Sequence, residues 1–520
     1  MSGTDSNMGG TEMPSTPEEQ LKLVHHLSDM DQSAPRDYVR RMYIFDFPDR
    51  TKRVQATSAL RHGLKTAFKA YPHLTGHVGP DRDLPLDLNR LTLRYGDTDA
   101  TREITDGIFQ ASCRKKADDF ALPLSPGEND ECVPAMTLKA TFLGSGGLVL
   151  CFAFHNSLVD GQSISMFIET FAKGTRDPNA IHNVKEYVQP QDLAQSCDFD
   201  IEAMEGLWDE GLFPEMDFDK SKPVYPYPHS GRCRLIKFPA KVIAELKDAC
   251  LAVLVGGLKD SANPYISSVD VLSALMWQGP LEDRHVHHHR RPAPEGFRRT
   301  GAPDYFGNMS MDLAVTARTI RQIVRPETTV WPEDGPPRLA PARTQDIAIC
   351  AYKIRQELLG IHPDNIEDRL AILMTLAQPQ EGTVARRRAV QSHKYGVKVG
   401  SLVDSGADVD FGISGTPREG GDGGRPRFIR KPWVTDNGMI NIMPRRGGSR
   451  GDDDWVVLIC ADGTVLEQLC LAGELGRWAS GFVDDRDPSL WWERRFGARR
   501  LPLDEEVDDD DGEDGDVTMQ

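Results

Sequence analysis

Residues 148–161 read LVLCFAFHNSLVDG, an apolar run that ends at His155, passes through a short loop and reaches Asp160-Gly161. This pattern predicts a buried strand, then a loop, then a helix. A histidine at the end of such a strand can act as a general base when its pKa lies near the operating pH, and it can equally be a structural group with satisfied hydrogen bonds. Asp160 is suited to hold the loop, and Gly161 permits a backbone angle that other residues avoid.

The flanking sequence extends this unit on both sides. MTLKATFL (136–143) and LVLCFAFH (148–155) are separated by a Gly-rich turn and predict two paired strands. The helix that follows, SISMFIETFAKG, is predicted to stop at Gly174. Upstream, 53–71 has apolar residues at helical spacing and is followed by a proline, after which LTGHVG (74–79) predicts a short strand.

The second half of the chain also mixes helices and strands, without a short repeat. Ser267 or Ser268 is a candidate N-cap for one of its helices. The predicted elements are helices at 240–255, 268–277 and 464–472, strands at 407–414, 438–444 and 454–461, and low-complexity loops at 280–301 and 379–396. Two α/β units of similar size are therefore expected.

Charge and composition exclude several classes of protein. The 520 residues carry a net charge of −18, and the acidic tail at 501–520 holds ten acids and no base, so that −18 + 10 = −8 remains elsewhere. We expect this tail and residues 1–17 to be disordered. The acidic balance disfavours nucleic acid as a ligand. No apolar stretch is long enough for a membrane span, no secretory signal is evident, and nine scattered cysteines suit a reduced, cytoplasmic location.

Familiar catalytic signatures are missing from the sequence. It contains no GxGxxG after a strand, no GxxxxGK[ST] and no HExxH. The histidine run at 285–289 has no carboxylate or thiol at ligand spacing, so we interpret it as part of a solvated loop and expect no metal site.

Several segments resemble, in order, the motifs of one family. Residues 148–161 resemble the HHxxxDG segment of the CoA-dependent BAHD acyltransferases and of nonribosomal peptide condensation domains. The other matching segments are AFKAYPHLTGHV (67–78), SSVDVLSALMW (267–277), DYFGN (304–308), VDFGISGTPR (409–418), which resembles the DFGWGxP loop, and GMINIMPR (438–445). The resemblance is to fungal members of the trichothecene 3-O-acetyltransferase type, and it covers about residues 20–475.

The resemblance implies an α/β fold with two pseudo-symmetric mixed-sheet domains. Their expected bounds are 18–215 and 231–500, joined by a crossover linker at 216–230. An acyl-CoA and an acceptor would enter a tunnel between the domains from opposite ends. The family precedent further implies a monomer that holds no tightly bound cofactor.

The resemblance also implies roles for individual residues. Asp160 would hold its loop through an ion pair and Asp410 would tie its own loop to an arginine, so that these residues, Gly161 and Gly412 would have mainly architectural roles. The basic groups at 298–299 and 386–388 could meet the phosphates of CoA or could be solvated loop charges.

One departure from the family pattern concerns the base itself. Four residues before Asp160 stands Asn156, where the family has its catalytic histidine, and the tryptophan of DFGWG is Ile413. An amide can hydrogen-bond a hydroxyl but cannot take its proton at neutral pH, and losing a positioned base costs about 10²–10⁴-fold in rate. His155 could replace it, although a local bulge would be needed to turn its side chain to the other face. Alternatively, Asn156 orients an acceptor that is already nucleophilic or loses its proton to another group, or acyl transfer has been lost.

The sequence therefore predicts transfer of an acetyl or related acyl group from an acyl-CoA, with acetyl-CoA as the expected donor, to a hydroxyl or amine of a small secondary metabolite. His155 is the candidate base, and replacing it with alanine is expected to abolish turnover. The alternative is a catalytically altered relative that binds a hydrophobic metabolite or catalyses another biosynthetic step.

Overall fold

The structure is a computed structural model of the chain, and every structural statement below concerns the residues it describes. These are 23–85, 88–96, 109–114, 132–177, 179, 231–257, 264–277, 285–290, 306–308, 311–316, 341–360, 369–370, 373, 397–417, 424–432, 438–448, 451–463, 466 and 475–484.

The described elements are numbered in chain order. The strands are β1 (Leu23–His26), β2 (Tyr38–Asp46), β3 (His77–Pro80), β4 (Leu91–Tyr95), β5 (Phe109–Arg114), β6 (Val133–Pro134), β7 (Met136–Leu143), β8 (Gly147–His155), β9 (Gly231–Phe238), β10 (His285–Arg290), β11 (Met311–Thr316), β12 (Val397–Ser401), β13 (Phe428–Arg430), β14 (Met439–Ile442), β15 (Trp455–Asp462) and β16 (Gly481–Asp484). The α-helices are α1 (Asp29–Gln32), α2 (Arg53–Ala70), α3 (Gly161–Arg176), α4 (Ala240–Gly257), α5 (Ser268–Trp277), α6 (Pro341–Leu359) and α7 (Leu475–Trp478). Short 3-10 turns occupy Arg50–Lys52 and Pro72–Thr75.

The first sheet places the decisive strand at its centre. Its described strands run in the order β13-β2-β8-β7-β5, and β8 pairs antiparallel with both β2 and β7. All of β8 after Gly147 is buried, which suits an apolar run without polar alternation. The pairing of β2 with β8 is continuous from Tyr38–His155 to Asp46–Gly147. The antiparallel pairing of β7 with β8 confirms the predicted hairpin.

Helices α2 and α3 pack against each other beside this sheet. The ring of Phe171 in α3 contacts Phe152 of β8 edge-on, with 5.2 Å between centroids. The predicted stop at Gly174 is wrong, because α3 continues to Arg176. A Cβ on Gly174 would lie 2.4 Å from Cβ of Thr66. This glycine therefore allows a close approach of the two helices and does not end α3.

The second sheet occupies the other half of the chain. Its described strands run in the order β11-β10-β12-β14-β15-β9-β16, and helices α4, α5 and α6 supply buried residues to the same core. Helix α5 begins with a reciprocal cap in which the Ser267 hydroxyl accepts from the Asp270 amide and the Asp270 carboxylate accepts from the Ser267 amide. Ser267 is thus the N-cap. Arg355 of α6 donates to Asp270 at 2.8 Å, which ties the two helices together.

A third, smaller sheet completes the described framework, with strands in the order β1-β4-β3-β6. It contains the short strand expected near 74–79, which begins at His77 after the 3-10 turn. Every helix in the described part of the chain is too short or too polar to span a lipid bilayer.

Two element predictions in the second half are wrong. The predicted loop at 280–301 contains β10, which pairs antiparallel with β11 and parallel with β12. Its sequence lacks an apolar pattern, so partner strands provide the hydrogen bonds that define it. Residues 407–414 form turns and no strand, because glycines at positive φ (Gly406 and Gly412) bend the chain repeatedly. The helix predicted at 464–472 lies outside the described residues apart from Leu466.

The second half of the chain also contributes to the first sheet. Strand β13 pairs antiparallel with β2, with Ile429 opposite Tyr43. Phe411 joins the same core and contacts the ring of Phe45 at 5.1 Å. The predicted linker at 216–230 and both terminal segments lie outside the described residues, so the domain bounds remain predictions.

Candidate functional site

The end of β8 presents consecutive side chains to opposite faces of the sheet. Phe152 and Phe154 face α3, where both rings contact Phe167. His155 points to the opposite face, as alternation requires. Its ring meets Tyr38 edge-on at 5.4 Å, and only 3% of the residue is exposed. The bulge that would turn His155 to the other face is not found in the described β2–β8 pairing.

His155 is held as a neutral, buried ring. Burial lowers its pKa to about 4, while Asp37 acts in the opposite direction and Arg36 adds to the decrease. Its Nδ1 atom accepts a hydrogen bond from the Ser157 amide at 3.3 Å. A neutral imidazole that accepts at Nδ1 carries its proton on Nε2. Burial and this tautomer both weigh against a base role for His155, which stays a prediction.

Asn156 is the partly exposed residue of the pair and is held at three points. Its backbone amide donates to the carbonyl of Asp37 at 2.8 Å. Its side-chain amide donates to Oδ1 of Asp37 at 3.1 Å. Its carbonyl accepts from the side-chain amide of Asn308 at 2.9 Å. The position that holds the base in the family pattern is therefore rigidly placed.

Asp160 holds the start of α3, as the sequence suggests. Its carboxylate accepts from the backbone amides of Gln162 and Ser163 at 3.0 and 2.9 Å, which is an N-cap. Burial of the Arg41 guanidinium lowers its pKa. Tyr43 and, to a smaller extent, the negative charge of Asp160 act in the opposite direction. Arg41 therefore lies within electrostatic reach of Asp160, and the ion pair expected for Asp160 stays a prediction.

Gly161 does not have the unusual backbone angle expected of it. It is the first residue of α3, and the positive-φ glycines of the described chain do not include it. A Cβ there would meet Nη2 of Arg41 at 3.5 Å, an ordinary contact. Any residue can adopt the helical conformation of this position. The prediction that Gly161 is needed for an unusual backbone angle is therefore wrong.

The segment Phe306-Gly307-Asn308 docks onto the same turn from the second half of the chain. The carbonyl of Gly307 accepts from the Asp160 amide at 3.2 Å and from the Ser163 hydroxyl at 2.9 Å. The ring of Phe306 stacks on Tyr71 with 4.3 Å between centroids. The DYFGN match identified this segment, but only the fold shows that it fixes the catalytic-motif loop.

A buried carboxylate missed by the sequence analysis completes this junction. Asp31 accepts from the Asn308 amide at 2.9 Å and from the Ser28 hydroxyl at 2.7 Å. Burial raises the pKa of Asp31 to about 7, against the hydrogen bonds from Ser28 and Asn308 that lower it. The Ser28-x-x-Asp31 spacing is a capping-box signal that could have found this group.

The Asp410 loop is held partly as expected. Asp410 Oδ1 accepts from the Gly412 amide at 2.7 Å. An arginine was expected to hold this loop through the Asp410 carboxylate. Arg176 contacts the loop, but its guanidinium donates to the backbone carbonyl of Asp410 at 2.6 Å. Gly412 has φ +58° and lies against the Arg176 side chain, so it is needed for the turn. Ile413, at the position of the family tryptophan, is fully buried in the first core.

Some predicted features cannot be placed. The arginines at 298–299 and 386–388 lie outside the described residues. Within the described part of the chain, histidine, cysteine and acidic side chains form no group of three that could hold a metal ion.

The class of protein is established by comparison with sequence families. The model of the transferase family matches residues 12–290, more than half of the chain. The chain belongs to this family, and the predicted resemblance to BAHD acyltransferases of the trichothecene acetyltransferase type is confirmed.

Individual relatives agree with this assignment. The chain is 24% identical over 291 residues to the O-acetyltransferase ptmV of Penicillium ochrochloron, covering 48% of this chain and 55% of that protein. It is 22% identical over 265 residues to the trichothecene 3-O-acetyltransferase TRI101 of Fusarium sporotrichioides, covering 46% and 55%. The chain thus spans about half the length of the curated relatives it matches.

Solved structures confirm the fold class. The TRI101 of F. graminearum, complexed with coenzyme A and T-2 mycotoxin, matches with a TM-score of 0.61 at 17% identity, over 88% of this chain and 99% of that one. The F. sporotrichioides TRI101 complex with coenzyme A and T-2 matches with a TM-score of 0.59 at 16% identity, with the same coverage.

Proposed function

We propose that this protein transfers an acetyl or related acyl group from an acyl-CoA to a hydroxyl or amine of a small secondary metabolite. The observation that carries the proposal is the pinned, partly exposed turn at Asn156, held by Asp160 and by Asn308 from the distant part of the chain. Relatives named as O-acetyltransferases and fold neighbours solved with coenzyme A, ethyl coenzyme A, T-2 or deoxynivalenol support it.

The reaction requires three bond changes. The acceptor oxygen or nitrogen forms a bond to the thioester carbonyl carbon, the carbon–sulfur bond breaks, and the acceptor proton is removed. The CoA thiolate leaves and is protonated. Asn156 can orient an acceptor by hydrogen bonding, while His155, Asp160 and Asp410 support the turn and the adjacent loop. Acetyl-CoA is our proposed donor, and no tightly bound cofactor is involved.

The second candidate is a catalytically altered relative that binds a hydrophobic metabolite or performs a different biosynthetic step. The observation that favours it is the arrangement of the two neighbours, with His155 buried and the amide of Asn156 at the accessible position. The family base is thereby replaced by a group that cannot accept a proton.

Binding of acetyl-CoA and of free CoA, measured by calorimetry, separates the two candidates. Micromolar binding of both is expected. Absence of binding up to millimolar CoA would overturn acyl transfer and leave the binding-protein candidate. Turnover is then measured as CoA release from acetyl-CoA with deoxynivalenol as an alcohol and tryptamine as an amine. An inactive protein with both probes and with water would also overturn the transferase proposal.

Two variants test the neighbouring positions. If the sequence prediction for His155 is right, His155→Ala abolishes turnover. If position 156 faces the reacting atoms, Asn156→His raises the rate by restoring an ionisable ring there.

We further propose that the protein is a cytoplasmic monomer, on family precedent and on its scattered cysteines. Size-exclusion chromatography with light scattering tests whether it is a monomer.

A further inference from the structure

We propose that the carboxylate of Asp37 accepts the acceptor's proton during acyl transfer, with Asn156 as the residue that positions it. The proposal rests on the proposed function, and it assigns to Asp37 the role of general base that the histidine has in the family pattern. It comes from one contact, the hydrogen bond from Nδ2 of Asn156 to Oδ1 of Asp37 at 3.1 Å.

The register of the sheet places these two side chains on one face. Tyr38 lies opposite His155 in the β2–β8 ladder, so Asp37 and Asn156 form the next pair beyond it. Residues directly opposite each other in an antiparallel pair point to the same face, which alternates along the strand. Asp37 and Asn156 lie just beyond the ends of these strands, and the hydrogen bond between their side chains places the two groups side by side.

The backbone fixes the same pair. The Asn156 amide donates to the carbonyl of Asp37 at 2.8 Å, and the Tyr38 hydroxyl donates to the carbonyl of Pro134 at 2.6 Å. Asp37 is thus the residue directly before β2, fixed through its own carbonyl and through the side chain of the following Tyr38. Its carboxylate is held relative to the turn by main-chain contacts as well as by the Asn156 amide.

Accessibility distinguishes Asp37 from His155. Asp37 is exposed and Asn156 is partly exposed, whereas His155 is buried. Asp37 acts electrostatically on the neighbouring His155, and Arg36 acts on the same ring in the opposite direction. The guanidinium of Arg36 donates to Oδ1 of Asn89 at 2.6 Å.

The step is balanced by groups of the protein and of its two substrates. A carboxylate has about four lone-pair sites, so one carboxylate can accept a hydrogen bond from Asn156 and also an O–H or N–H proton from an acceptor. As the acceptor atom bonds to the thioester carbonyl carbon, its proton passes to Asp37. The carbon–sulfur bond breaks and the thiolate leaves with the electron pair. The proton held by Asp37 then passes to the thiolate, directly or through solvent, which regenerates the carboxylate. Carboxylates serve as general bases in enzymes.

The test uses the full chain and measures CoA release from acetyl-CoA with deoxynivalenol, tryptamine and water as acceptors. Asp37→Asn should lower kcat about 10²–10⁴-fold with the Kd of acetyl-CoA unchanged. Formate added to Asp37→Ala should restore part of the rate by supplying a carboxylate. The matched control is Asp46→Asn, which removes an exposed carboxylate at the far end of β2, roughly 30 Å along the strand.

The outcomes separate the two proposals. An inactive wild-type protein overturns the proposed function and this inference together. An active wild type with an Asp37→Asn variant of equal kcat overturns this inference alone. Asn156→Ala should lower the rate less than Asp37→Asn and should not respond to formate, because the carboxylate is still present but less well placed. Formate rescue of Asn156→Ala would contradict the division of roles.

Discussion

The side-chain amide of Asn308 donates a hydrogen bond of 2.9 Å to the backbone carbonyl of Asn156, across 152 positions of sequence. The backbone amide of the same Asn308 donates to buried Asp31. One residue therefore joins the motif turn of the first sheet to α1 and to the second half of the chain. The position of Asn156 depends on contacts that no local pattern of sequence records.

Asn308→Ala should destabilise the protein and slow turnover. The variant removes a partly buried hydrogen bond to the carbonyl of Asn156, and this loss should cost about 0.5–1.5 kcal/mol in free energy of unfolding. Urea unfolding measures the loss. Gln162→Ala, an exposed polar residue of the same turn, is the control and should change stability by less than about 0.5 kcal/mol. Equal effects of the two variants would show that the Asn308 contact contributes nothing.

Asp160 should contribute to stability in two separable ways. Asp160→Asn keeps an N-cap acceptor but removes the charge near buried Arg41, which should cost on the order of 2 kcal/mol, less than the ~3–5 kcal/mol of a directly bonded buried pair. Asp160→Ala also removes the cap and should lose about 1 kcal/mol more. Chemical denaturation gives both values. If Asp160→Asn matches the wild type, the charge of Asp160 does not matter.

The two motif glycines should respond oppositely to alanine. Gly412→Ala forces φ +58° on a residue with a Cβ and brings that Cβ within 2.5 Å of Cγ of Arg176, so a loss of about 1–3 kcal/mol is expected. Gly161→Ala should be neutral or stabilising by about 0.4–1 kcal/mol, because its conformation is helical and its nearest contact is ordinary. Melting temperatures of the pair check this contrast, and similar losses in both would refute it.

His155 should make stability depend on pH below neutrality. Burial lowers its pKa in the folded protein to about 4, against 6.5 for the unconstrained side chain. Between these values the unfolded chain binds the proton and the folded chain does not, so stability is lost as pH falls from about 6.5 to about 4.

The matching variant is His155→Asn, which retains an acceptor for the Ser157 amide but does not titrate. Its free energy of unfolding should fall less steeply than that of the wild type over this window, as measured by urea unfolding at a series of pH values. Parallel pH profiles for the two proteins would mean that His155 is not kept neutral by the fold.

Much of the first half could be predicted from local pattern. An apolar run without alternation predicted the central strand, helical spacing predicted α2, and Asp160 was recognised as the residue that holds the loop. These features depend on a few neighbouring residues, so their physics is visible in the sequence. Gly174 misled because a glycine that permits helix contact looks the same in sequence as one that ends a helix.

Sequence order also identified the family, since several short motifs with correct spacing are specific together although each is weak alone. The chain's own residues likewise established that an amide stands at position 156. Asp37 could not be identified as a candidate base in this way, because the local sequence does not distinguish it from other exposed aspartates. Its significance depends on β2 lying beside β8 in one register.

The sequence by itself therefore determined the buried strand, the turn, the helix cap and the family, because periodicity, capping and motif spacing act over short distances. Tertiary structure alone decided that His155 is buried while Asn156 meets Asp37, that Asn308 secures the turn, and that β13 completes the first sheet. Those outcomes come from strand register and from hydrogen bonds between residues far apart in the chain, which form only when the whole core is packed.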